Sequence, residues 1–94
     1  MPRIFEIKDK TGRNIYLTDE RWKHILKRPE MADHLGRIEE TLAHTDKISE
    51  TAQDIDVRFY YRYYKDRKEF LFVSVKYLNG NGYIITSFYT DKIK

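Results

Sequence analysis

Between Asp56 and Thr90 the chain spells out three strands in succession, DVRFYYRYY, EFLFVSVKY and GYIITSFYT, and no other stretch restricts the fold as much. Lys65-Asp66-Arg67-Lys68 and Asn79-Gly80-Asn81-Gly82 separate them. Both connections are short and rich in turn formers, as β-hairpins require. Alternate side chains of a strand share a face. The first strand therefore sets Val57, Phe59, Tyr61 and Tyr63 against Arg58, Tyr60, Arg62 and Tyr64. In the second, Leu71, Val73, Val75 and Tyr77 form an apolar row opposite Phe70, Phe72, Ser74 and Lys76. The pattern predicts one core face and one face carrying cations among aromatic rings, and function is expected on the second.

A chain of 94 residues is the size of one domain, spanning 1–94. A lone sheet cannot hide its apolar face, so a covering layer is required. The absence of cysteine excludes disulfides, thiolate metal sites and a cysteine nucleophile. MPRIFEIKDK lacks the apolar run of a signal peptide, and nothing approaches membrane-spanning length, so a cytoplasmic protein is expected. The net charge of +3 conceals a strong asymmetry. Residues 1–29 carry eight Lys/Arg against four Asp/Glu, residues 30–56 two against eight, and residues 57–94 eight against three. If the two basic flanks meet in space, they make a surface that attracts polyanions such as nucleic acid.

Before the strands, Ile4, Phe5 and Ile7 read as a short strand, Asp9-Lys10-Thr11-Gly12 as a turn, and Ile15-Tyr16-Leu17 as a return strand. Thr18 suits a helix N-cap, with Asp19 and Glu20 in the first turn. That helix runs to about Lys27 or Arg28, where Pro29 stops it, and Trp22, Ile25 and Leu26 form its apolar stripe. His24 lies off the stripe, on the same side as Arg21 and Arg28. It is either a surface histidine or a proton-transfer group. A second helix over 30–43 follows from Met31, Leu35, Ile38 and Leu42, with Gly36 weakening it. His34 near that stripe and His44 at its C-terminal end read as structural. Lys47–Glu50 is a candidate strand and Thr51–Asp54 a turn. The sum is an α+β fold: an N-terminal β-hairpin and two helices packed on one face of a three- to four-stranded antiparallel sheet.

Several chemistries drop out. The three histidines make no H-E-x-x-H or other ligand spacing, and the carboxylates form no D-x-D arrangement. No nucleophile elbow, Walker loop or dinucleotide fingerprint is present, and Gly80 and Gly82 are explained by a hairpin. What remains is a metal-free set: His24, Arg28, Arg58, Arg62, Ser74, Lys76, Thr86, Ser87, Tyr89 and Thr90. Such residues suit RNA cleavage through the substrate's own 2′-hydroxyl. A histidine moves the proton, cations stabilise charge gathering on phosphorus, and hydroxyls bond its oxygens. Tyr60, Tyr64, Phe70 and Phe72 are candidates for base stacking, although ordinary strand packing selects the same residue types.

Arg21-Trp22-Lys23-His24-Ile25, then Arg28-Pro29-Glu30-Met31, then a Tyr/Arg-rich strand, then Ile85-Thr86-Ser87-Phe88-Tyr89-Thr90, together resemble the BECR nuclease superfamily of barnase, EndoU, colicin and RelE-like proteins. The likeness is to its small phage- and mobile-element-associated members. These share a W-x-H-I helix, an H-P-E-M turn and a last strand ending T-x-[YF]-x-T. The resemblance implies helices on a four-stranded antiparallel sheet and a cofactor-free, metal-independent endoribonuclease, often a toxin restrained by an antitoxin or immunity protein. Carried over, it implies catalytic roles for His24, Thr86 and Thr90 and places phosphate ligands among the basic strand residues. One position departs from the pattern, since Arg28 stands where those relatives often have histidine.

On the last strand alternation groups Ile84, Thr86, Phe88 and Thr90 against Tyr83, Ile85, Ser87 and Tyr89. Either row can join Lys76, and the resemblance favours the threonines. The expectation is therefore an RNase with His24, Thr86, Thr90 and Lys76 as catalytic residues and Arg28, Arg58, Arg62, Tyr60 and Tyr89 binding substrate. A non-catalytic nucleic-acid-binding module and a phage-type protein-interaction domain use the same surface and stand as alternatives.

Overall fold

The computed structural model describes residues 3–9 and 12–93. Strands β1 (Arg3–Lys8) and β2 (Asn14–Thr18) form the N-terminal hairpin, and Lys10 and Thr11 of its expected turn lie outside the described residues. β2 runs straight into helix α1 (Asp19–Ile25), whose N-cap Thr18 accepts a hydrogen bond from the Arg21 amide at 3.2 Å. Asp19 and Glu20 sit in its first turn, where the unpaired amides favour acids.

Helix α2 (Leu35–Ala43) is shorter than the sequence predicts. Pro29 starts a separate 3₁₀ turn, Pro29–Met31, and the chain bends again before Leu35. Met31 reaches the core from that short turn, at 0% exposure. Strands β3 (Lys47–Glu50), β4 (Val57–Tyr64), β5 (Glu69–Leu78) and β6 (Asn81–Thr90) complete the chain.

All six strands join one sheet in the order β1-β2-β6-β5-β4-β3. It is therefore larger than the expected three or four strands, and it is mixed, because β2 pairs with β6 in parallel. The N-terminal hairpin extends the sheet instead of packing on its face. The β2–β6 seam, Ile15 with Gly82 and Tyr16 with Tyr83, is what joins it. Gly82 does more than serve a turn. A Cβ there would stand 2.8 Å from a Tyr77 ring carbon and 2.9 Å from a Val75 methyl. The hairpin itself is made by Asn79 and Gly80, with φ of 54° and 83°, the pair of positive angles a two-residue β-turn demands.

Both helices cover one face of the sheet. There Ile15, Leu17, Ile25, Met31, Ile38 and Leu42 meet Leu71, Val73, Val75, Tyr77 and Ile84 in a single cluster. Each such side chain contributes about 1.5–3 kcal/mol on burial.

Strand β4 reverses an expectation. Its register with β5 pairs Arg58 with Val75, Tyr60 with Val73 and Arg62 with Leu71. The Arg/Tyr row thus faces the helices, and Val57, Phe59, Tyr61 and Tyr63 face the open side with Lys76, Ser74, Phe72 and Phe70. Tyr60 and Tyr64 fill core volume and satisfy their hydroxyls internally. Tyr60 meets the Tyr77 hydroxyl, which donates to Asp9 at 2.8 Å, and Tyr64 donates to Glu40 at 2.6 Å. Arg58 and Arg62 lay their stems along the margin of the sheet and reach Glu50 and Glu40.

Candidate nucleic-acid interface

The face away from the helices is an aromatic floor. Phe72 lies at its centre, with ring centroids of Phe59, Tyr61 and Phe88 at 5.1, 5.4 and 4.7 Å. Phe70 continues the array to Tyr63 at 5.2 Å. These rings bury one another: Tyr61 is 0% and Phe72 8% exposed without a helix above them. Between them and the start of the C-terminal segment is a cavity of about 100 Å³, lined by Phe59, Tyr61, Phe72, Phe88, Thr90 and Lys92. Four of its six lining residues are aromatic, and Thr90 and Lys92 complete it.

The hydroxyl row beside this floor depends on an irregularity in β6. Val75 pairs with Ile84, but Ser74 pairs with Thr86, so Ile85 is an extra residue and the strand bulges. Ile84 accordingly enters the core at 1% exposure, whereas Thr86, Phe88 and Thr90 pair with Ser74, Phe72 and Phe70 of the open face. The threonine row and Lys76 do share a side. Ile84, grouped with the threonines by simple alternation, does not join them.

Helix α1 packs beside β6, and Arg21 and Arg28 reach that strand. Arg21 donates through Nε (2.8 Å) and a terminal nitrogen to the carbonyl of Ile85. The guanidinium of Arg28, just past the helix, stands 4.8 Å over the Phe88 ring. His24 lies between these two anchors in sequence, three residues from Arg21 on the helix, and it is exposed. Lys76 is engaged already, 3.0 Å from Asp54 of the β3–β4 connection. The Asp54 carboxylate holds the Lys76 ammonium above its usual pKa, and the ammonium in turn lowers that of Asp54.

The remaining candidates stand elsewhere. Arg58, Arg62, Tyr60 and Tyr89 face the helices, so one groove gathering them with Lys76, Thr86 and Thr90 does not form. Arg58 is held by Glu50 at 3.6 Å and Arg62 by Glu40 at 3.4 Å and the His44 carbonyl at 2.7 Å. Tyr60 is 2% exposed. Tyr89 bonds His34 Nδ1 at 2.8 Å and Arg37 at 3.3 Å, while Arg67 stacks on its ring at 3.9 Å. Asp66 closes this cluster on Arg37 at 3.0 Å.

Sequence reasoning missed Arg21, Asp54 and Phe88. Phe88 was visible as one more strand aromatic, and the doublet Ile84-Ile85 was a signal of broken alternation. Nothing local marks Arg21 or Asp54, because each partner is remote in sequence. Among the described residues no three His, Cys, Asp or Glu side chains gather to hold a metal ion, and no helix is long and apolar enough to cross a membrane. Compared with family models, curated proteins and solved structures, the chain matches none.

Proposed function

We propose that this protein is a metal-independent endoribonuclease that cleaves single-stranded RNA through the 2′-hydroxyl, with the strand laid over the open sheet face. The observation that supports this reading is the contact of α1 with β6: Arg21 and Arg28, which flank His24 in sequence, reach Ile85 and Phe88 of the strand that bears Thr86. A base stacks in the aromatic cavity, whose nearly apolar walls read ring shape more than base identity. Thr86 hydrogen-bonds an oxygen of the reacting phosphate, Thr90, about 13 Å further along the strand, bonds the backbone of a neighbouring nucleotide, and Arg28 and Lys76 offset the charge.

His24 accepts the 2′ proton as O2′ bonds to phosphorus. The bond from phosphorus to O5′ breaks, and O5′ takes its proton from water, since Arg28 stands where a second imidazole would serve. The products are a 2′,3′-cyclic phosphate and a 5′-hydroxyl. Arg58, Arg62, Tyr60 and Tyr89 have no part in this step. The enzyme would work in the cytoplasm, with RNA as substrate and a protein antitoxin or immunity protein as its restraint.

Purified protein incubated in chelator with an unstructured RNA oligonucleotide should yield cyclic-phosphate ends. His24→Ala should slow the cut by about a hundredfold or more, the size of a lost general base. No cleavage by the wild type under any tested sequence overturns the enzyme. The same Arg28 favours a second reading, a non-catalytic RNA-binding module with one imidazole left on its face. It predicts salt-dependent binding without scission, unchanged by His24→Ala.

A further inference from the structure

We infer that Arg21 is a positioning residue, whose guanidinium fixes the Ile85 bulge and thereby decides which β6 side chains face the open side. Among the described residues β2 pairs with β6 only at Gly82 and Tyr83, and beyond that point no described strand holds the outer edge of β6. There, one guanidinium supplies two donors to one carbonyl, that of the inserted residue. The fork geometry is one that arginine presents and lysine cannot. Without the insertion, period-two alternation would turn Thr86, Phe88 and Thr90 toward the helices with Ile84, and Ser87 and Tyr89 outward.

Ser87, now 0% exposed and donating to the Phe72 carbonyl at 2.8 Å, holds the inner side of the same segment. The clamp's other end is equally fixed. The Arg21 amide is capped by Thr18 at the point where β2 becomes α1, so the helix cannot slide along the sheet without breaking both bonds. One side chain thus sets the facing of the threonine row and the standoff of the helix that bears His24. Arg21 is cationic, but its donors go to backbone, which separates it from the phosphate ligands Arg28 and Lys76.

The catalytic consequence rests on the nuclease reading, and the structural one does not. The test compares full-length wild type, Arg21→Lys and Arg21→Gln. Amide hydrogen exchange at residues 84–88 should accelerate about tenfold or more in both variants, with the β4–β5 pairing unchanged. Unaltered exchange at 84–88 overturns the inference, as does an equal change across the whole sheet in the milder lysine variant. On RNA, kcat should fall about tenfold or more while KM stays within about twofold. A raised KM with kcat retained would make Arg21 a substrate ligand and overturn the positioning role. If the wild type cleaves no RNA, the nuclease reading fails alone, and the exchange measurement still decides the clamp.

Discussion

Lys76 is the cation on the open face whose state can be changed by one remote substitution. Asp54 pairs with it across 3.0 Å, and a phosphate arriving at Lys76 competes with that carboxylate for its charge. Asp54→Asn should therefore tighten RNA binding about two- to fivefold at low salt, the scale of an exposed ion pair, and the gain should fade as salt rises. Fluorescence anisotropy with a labelled oligonucleotide measures it. In a Lys76→Ala background the same substitution should do much less. An equal gain in both backgrounds would show that Asp54 acts by bulk repulsion.

Gly82 makes the second argument at this scale. Its φ is not positive, so the demand for glycine is steric, set by Tyr77 and Val75, both buried. Gly82→Ala should cost about 1–3 kcal/mol in urea unfolding, as overpacking does. The β2–β6 seam should be the region that loosens in hydrogen exchange.

Among the elements, α1 and β6 show what could and could not be read from the chain. The N-cap at Thr18, the Asn79-Gly80 turn and the three-strand meander were legible because each is encoded by neighbours in sequence. That His24 stays out of the core was legible too, from helical period alone. The facing of β4 was not. Both of its rows contain aromatics, and period-two patterning cannot rank a row of Tyr and Arg against one of Val, Phe and Tyr. The register with β5 decided it, together with the acceptors Glu40 and Glu50 that lie outside the strand. In β6 a one-residue bulge reassigns every later side chain, and the arginine that bonds its carbonyl lies 64 residues earlier. The parallel addition of the N-terminal hairpin was hidden for the same reason. A β2–β6 pairing leaves no turn signal, because no turn joins those strands.

For the molecule as a whole, the helix-side core carries an alkaline liability. Tyr60, Tyr64 and Tyr77 sit there with burial as the first cause holding each phenol above its ordinary pKa of 10.0. Tyr64, with Glu40 also opposing ionisation, is pushed up to about 12. A proton bound more tightly in the folded state stabilises it below the unfolded pKa, and that contribution is lost as pH climbs through the folded value. Lys76, raised by Asp54, acts in the same direction. Thermal unfolding midpoints should hold level from about pH 8 to about pH 10 and fall steeply toward about pH 12. Tyr64→Phe should flatten part of that fall, and an unchanged slope in the variant would remove Tyr64 from the account.

The parallel seam between β2 and β6 also sets an order of events during synthesis. Strand β2 and helix α1 leave the ribosome early, but their partner is nearly the last segment described. Pairings between such distant segments form late and slowly. A nascent chain therefore holds the imidazole of α1 and the two threonines of β6 on unconnected segments until β6 has emerged and the seam has closed.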